Sequence, residues 1–139
     1  MHTFYDSVKT VLSNAQSQVF RAVNFTMVEA YWQIGKLIVD EEQQGNSRAE
    51  YGAGLLKYLA QRLTEDFGKG YNETSLKYMR LVYQAFPIRH ALRDELTWTH
   101  YRLLAKVDSQ SARAWYMNEA AEQQWSSRAL YTIEQRQQP

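Results

Sequence analysis

The chain has 139 residues, 16 Lys and Arg against 15 Asp and Glu, a formal net charge of +1 and no cysteine. That length suits one ordinary domain or two very small helical ones, and a 45% share of hydrophobic residues supplies enough apolar mass for a core. The composition excludes a disulfide scaffold, a thiolate zinc site, an iron–sulfur cluster and a cysteine nucleophile, and the near-neutral charge offers no global argument for nucleic acid.

The first Gly is Gly35 and the first Pro is Pro87, so the N-terminal part has no helix breaker. Phe4, Val8, Val11, Leu12, Ala15 and Val19 recur at three and four, and Val28, Tyr31, Ile34, Leu37 and Ile38 continue the spacing. This predicts either one long helix over about 3–43 or two helices joined, or kinked, near Asn24–Thr26. The run Gln43-Gln44-Gly45-Asn46-Ser47 breaks the pattern. A helix over about 49–66 follows, with the stripe Leu55, Leu56, Leu59 and Leu63, and Gly68 and Gly70 end it. Asn72 reads as the N-cap of a helix that Pro87 stops near Phe86. Thr97 or Thr99 caps a short helix through Ala105, Asp108 caps one over about 109–124, and Ser126 caps the last over about 127–136. No alternation of period two is long enough for a strand.

The expected fold is therefore all-α, with about six helices. Residues 1–46 form a long N-terminal helical segment, 47–136 a helix-turn-helix-like bundle, and 137–139 a polar tail, together one compact unit. The longest unbroken apolar run is Ala114-Trp115-Tyr116-Met117, far short of the ~20 residues needed to span a bilayer, and no signal peptide follows Met1. No membrane contact is expected, and a cysteine-free chain suits the cytoplasm.

Between Lys69 and Arg93 the basic residues are Lys69, Lys77, Arg80, Arg89 and Arg93, opposed by Glu73 alone, so five minus one gives +4. With Asn72, Thr74, Ser75 and Tyr78 on the same turn and helix, this stretch has the residue types that phosphate and base contacts require. The plain alternative is a solvated basic face on a helical hairpin. Leu81 on the outer side points to cover by another helix. Downstream, Trp98, Tyr101, Trp115, Tyr116 and Trp125 read as core aromatics. His100, Arg102 and Arg113 among them are either secondary phosphate contacts or structural hydrogen-bonding residues, and for His100 and Arg128 the structural role is preferred.

Catalysis is poorly served. His2, His90 and His100 form no HxxxH, HxH or HExxH pair, so no helical metal site is expected. Neither glycine-bearing turn matches GxxxxGK(S/T) or GxGxxG, and GxSxG is absent. The residues two before each lysine are Ser7, Ile34, Leu55, Phe67, Ser75 and Leu104, none acidic. A PD-(D/E)xK nuclease site, which needs an acidic residue at that spacing, is therefore not in this chain. Asp40-Glu41-Glu42 reads as a solvated acidic face. No cofactor and no enzymatic activity are expected.

Three stretches, YWQIGKLIVDEEQ (31–43), YGAGLLKYLAQRLTEDFGKGYNETSLKYMRLVYQAFP (51–87) and LTWTHYRLLAKVDSQSARAWYMNEAAEQQWSSRALYTIE (96–134), resemble the N-terminal domain of the YhcG-like family. The spacings Tyr31-Trp32-Ile34-Gly35, Tyr78-Met79-Arg80, Trp98-His100-Tyr101-Arg102-Leu104 and Trp125-Ser126-Arg128-Leu130 carry it. These bacterial proteins place a PD-(D/E)xK nuclease-like domain after a helical one. The resemblance implies a non-catalytic DNA-targeting domain whose nuclease lies outside this chain, the 139 residues being part of a longer protein or a stand-alone relative. It also implies that the nuclease domain is a partner in the full-length protein.

A second, weaker resemblance is to the helix-turn-helix region of ParB-like partition proteins, through Arg80-Leu81 before Pro87, then Leu96, His100, Arg102, Leu103, Leu104, and Trp125-Ser126 with Arg128. It implies phosphate contacts from Lys69, Asn72, Ser75, Lys77 and Arg80 and approach to base edges by Thr74 and Tyr78. The turn Gly68–Asn72 is longer than a tight helix-turn-helix turn. The competing expectation is a protein-interaction module or homodimer, drawing on the long N-terminal helix, ten Tyr and four Trp.

Overall fold

A computed structural model describes residues 2–44 and 49–137. Those residues form six α-helices and one short 3-10 turn: α1 (His2–Gln44), α2 (Ala49–Phe67), α3 (Glu73–Ala85), the turn Arg89–Ala91, α4 (Trp98–Leu104), α5 (Gln110–Glu122) and α6 (Ser127–Gln137). No strand occurs among the described residues. α1 runs unbroken through Asn24–Thr26, so the two-helix alternative is set aside. At a rise of ~1.5 Å per residue it is about 64 Å long.

The second half of α1 is the spine of the fold and packs along α3. Their crossing is close because residue 35 is glycine. A Cβ there would lie 2.1 Å from the carbonyl oxygen of Met79 and 3.1 Å from Cβ of Tyr83. Trp32, one turn before, is buried and donates its indole N–H to the carbonyl of Phe86 at 2.7 Å. That bond ties α1 to the residue where α3 ends.

Two apolar clusters flank this crossing. A smaller one joins Ile38, Leu56, Leu76 and Met79, which docks α2. A larger one joins Val28, Trp32, Val82 and Phe86 to Leu96, Tyr101, Leu104, Tyr116, Met117, Ala120 and Leu130, which collects α4, α5 and α6. The core thus draws on residues either side of position 46, and Leu81 is half-buried against the larger cluster.

Caps fix the short helices. Asn72 Oδ1 accepts from the Ser75 N–H at 2.8 Å, which starts α3. Thr97 starts α4, and His100 completes a capping box with it. The cap of α5 is Ser109, whose hydroxyl accepts from Ala112 N–H at 3.2 Å, one residue later than the Asp108 expected. A serine hydroxyl meets the third amide of the helix as well as a carboxylate does, so sequence preference cannot separate neighbouring candidates. Ser126 Oγ accepts from Ala129 N–H at 3.0 Å and starts α6.

Of the expected core aromatics, Tyr101 and Tyr116 are buried and Trp98 and Trp125 half-buried, but Trp115 is 48% exposed. The first half of α1 departs further from a core reading. Every residue from 2 to 23 is exposed, including Phe4, Val11, Leu12 and Val19.

Candidate nucleic-acid interface

The basic residues between Lys69 and Arg93 separate into two groups. Arg80 binds Glu42 at 2.6 Å, joining α3 to the end of α1, and both side chains are about three-quarters covered. Arg89 binds Glu29 through Nη2 at 2.9 Å and Nε at 3.0 Å. Arg93 binds Glu95 at 2.9 Å and Asn118 at 3.2 Å. These arginines staple loops and helix ends to one another, and the +4 counted along the sequence is not the charge the surface presents. Glu42, expected in a solvated acidic run, is part of that neutralisation.

Lys69 and Lys77 belong to the other group. Both are exposed, and neither forms a salt bridge among the described residues. Lys69 sits at the tip of the turn between Gly68 (φ 85°) and Gly70 (φ 109°), left-handed conformations that favour glycine. Thr74 is exposed one turn before Tyr78 on the same face of α3, and Ser75 is half-buried. The Asn72 side chain is engaged in its cap.

Tyr78 is where the second group acquires a definite geometry. The guanidinium carbon of Arg102 lies 4.1 Å from the centre of its ring, and Lys106 Nζ lies 4.9 Å from it. Arg102 lies in α4 and Lys106 two residues past its end, and both reach the same ring on α3. The proximity of Lys106, joined by Arg102, holds the Tyr78 phenol below its ordinary range, against the opposing effect of burial. Neither cation forms a salt bridge among the described residues. An Arg and a Lys gathered on one aromatic ring, next to Lys77, make a small cationic face of the kind that takes phosphate oxygens. Its far side is bounded by a cleft of 490 Å³ that Lys106 shares with Asp108, Ser109 and Glu134.

The remaining predicted contacts point inward. His100 is 5% exposed. Its Nδ1 accepts from the Thr97 backbone N–H at 3.0 Å, which leaves Nε2 to donate to the Trp125 carbonyl at 2.8 Å. Arg113 donates to the Val107 carbonyl at 2.6 Å and reaches that of Ala85 at 3.5 Å. Both hold α4 and α5 in place. Lys106, which the sequence marks only as a lysine without an acidic residue two before it, joins this candidate face; its spacing of four from Arg102 is the sequence signal for it.

No group of three or more His, Asp or Glu side chains converges as a metal site among the described residues. No described helix is long and apolar enough to cross a membrane.

Fold and surface together define an all-helical module with a half-free leading helix and a cationic face at the meeting of α3 and α4. Residues 7–137 match the family model described as the DUF1016 N-terminal domain, and the chain belongs to that family. It is also 32% identical over 114 residues to "Putative nuclease YhcG" of Escherichia coli (strain K12), a match that covers 80% of this chain. The chain spans about 30% of the length of that relative. No solved structure matches.

Proposed function

We propose that this chain is a non-catalytic, DNA-targeting domain of a YhcG-like nuclease. The observation that carries the reading is the pair Arg102 and Lys106 gathered on Tyr78, beside Lys77 and free of carboxylate partners among the described residues. Support also comes from the relative, which is named "Putative nuclease YhcG". In this reading Lys69, Lys77, Arg102 and Lys106 contact phosphates, while Thr74 and Tyr78 approach the groove. Arg80, Arg89, Arg93, His100 and Arg113 support the fold that carries them.

Anisotropy titration of labelled duplex and single-stranded oligonucleotides tests it. Affinity is expected at about 50 mM salt and falls steeply as salt rises, because phosphate contacts release counterions. Lys77→Glu with Lys106→Glu is expected to lower both the affinity and the salt slope, whereas Arg89→Ala leaves the slope unchanged. No affinity for either nucleic acid at low salt rejects the reading.

A second reading, an interaction module, is favoured by a separate observation: the apolar side chains exposed along residues 2–23 of α1.

A further inference from the structure

The free half of α1 is poorly suited to stand alone in water. Phe4, Tyr5, Val11 and Phe20 are 63–70% exposed, and residues 2–27 carry only three charged side chains, Asp6, Lys9 and Arg21. Its Ser, Thr, Asn and Val residues are weak helix formers, so intrinsic propensity does not hold it helical without packing.

Its pattern is also more regular than a core face requires. Tyr5, Val8, Leu12, Ala15, Val19 and Ala22 alternate spacings of three and four without interruption, the seam of a coiled coil. The opposite side carries Ser7, Thr10, Asn14, Ser17 and Arg21, and of the large apolar residues Phe20 lies outside the seam. From Phe25 onward the side chains facing the body, Phe25, Val28 and Trp32, lie to one side of that seam. Ala22 and Thr26 stay exposed, so the body does not block its end.

We propose that the free half of α1 is the interface with a second copy of this chain, paired antiparallel about a point between Ser13 and Asn14. The sizes of the seam residues select this occupant and this direction. In the antiparallel register Tyr5 faces Ala22 of the other copy, Val8 faces Val19 and Leu12 faces Ala15. Each large side chain then meets a small one and each middle-sized one its equal, so all six layers fill evenly. In a parallel pair Ala15 would meet Ala15 and Ala22 would meet Ala22, leaving two underfilled layers, while Tyr5 would crowd Tyr5. No pair of opposite charges flanks the seam to impose a parallel register, and opposed helix dipoles favour the antiparallel one. A twofold contact of this kind closes on itself and adds no further copies.

This inference rests on the interaction reading and not on DNA binding. The absence of native cysteine makes the test direct. Sedimentation of the full chain at micromolar concentrations is expected to show a dimer, and Leu12→Glu with Val19→Glu a monomer whose body retains its cooperative thermal transition. V8C and V19C proteins are then oxidised separately and as a mixture. A cross-linked dimer from the mixture alone supports the antiparallel pair. Cross-linking within each single variant, or a trimer or tetramer by sedimentation, overturns the pair while leaving an interaction role for α1. A strict monomer overturns both.

Discussion

Gly35 of α1 lies directly against the backbone of Met79 in α3: a Cβ at residue 35 would stand 2.1 Å from the Met79 carbonyl oxygen and 2.7 Å from its carbon. The obstacle is main chain and cannot rotate away. Gly35→Ala gains up to ~1 kcal/mol of helix propensity, yet it must push apart the two helices that organise the core. The overpacking cost of ~1–3 kcal/mol outweighs that gain. A net loss of about 1–2 kcal/mol is expected, measured as a lower urea midpoint with little change in slope.

His100 bridges the start of α4 to the turn between α5 and α6 and is buried. His100→Ala leaves the Thr97 amide and the Trp125 carbonyl without this partner and opens a cavity. A loss of about 2–4 kcal/mol follows from those two effects together. Thermal unfolding of the variant checks it, and loss of tryptophan near-ultraviolet dichroism is expected below the transition because Trp125 loses its anchor.

Gln124 has φ 56°, and the Trp125 N–H bonds back to the Ala120 carbonyl at 2.9 Å, so α5 ends in a Schellman turn with a side chain where glycine is preferred. Gln124→Gly is expected to stabilise the chain by about 0.5–1 kcal/mol, since the conformation that costs Gln is free for Gly. A rise in melting temperature checks it, and a fall would show that Gln124 contributes a contact beyond the turn.

Tyr101 is fully buried, accepting from the Arg93 N–H at 2.6 Å and donating to the Arg93 carbonyl at 2.9 Å. Burial pushes its phenol up to about 12, aided by the charges of Glu95 and Asp94 and opposed by the Arg93 amide. The folded pKa is raised above the ordinary value of 10.0, so this stability is intact below pH 10 and is lost as pH rises toward 12, where the unfolded chain ionises first. About 2–3 kcal/mol is lost across that window. Tyr101→Phe is expected to flatten this part of the pH profile while costing ~1 kcal/mol at neutral pH from the lost hydrogen bonds.

Tyr78 behaves in the opposite sense, because the positive charge of Lys106 beside it, with that of Arg102, favours its phenolate. Lys106→Met is expected to move its ionisation toward the ordinary value. Titration followed by tyrosinate absorbance, with Tyr78→Phe to assign the signal, reads this without any nucleic acid. An unchanged titration would mean that Lys106 does not reach the ring in solution.

The helices themselves were available from local chemistry. Asn72, Thr97 and Ser126 announce helix starts, Gly68 and Gly70 mark a turn, and the three-and-four spacing of Leu76, Met79, Tyr83 and Phe86 identifies the inward side of α3. Such features depend on residues within one or two turns of each other, so the chain alone determined an all-α fold and most element boundaries. The resemblance carried by Tyr31-Trp32-Ile34-Gly35 and Trp98-His100-Tyr101-Arg102 likewise needed no coordinates. Which cations stay available did need them. Arg80 meets Glu42 across 38 residues and Arg89 meets Glu29 across 60, and no local pattern reports such pairs. Lys106 joins Arg102 on Tyr78 only because α4 lies beside α3. Periodicity gave α1 an apolar stripe along its whole length, but only the packed structure showed that α3 covers one half and leaves the other bare. A repeat fixes which side of a helix seeks cover; what covers it is decided by the rest of the chain, or by another one.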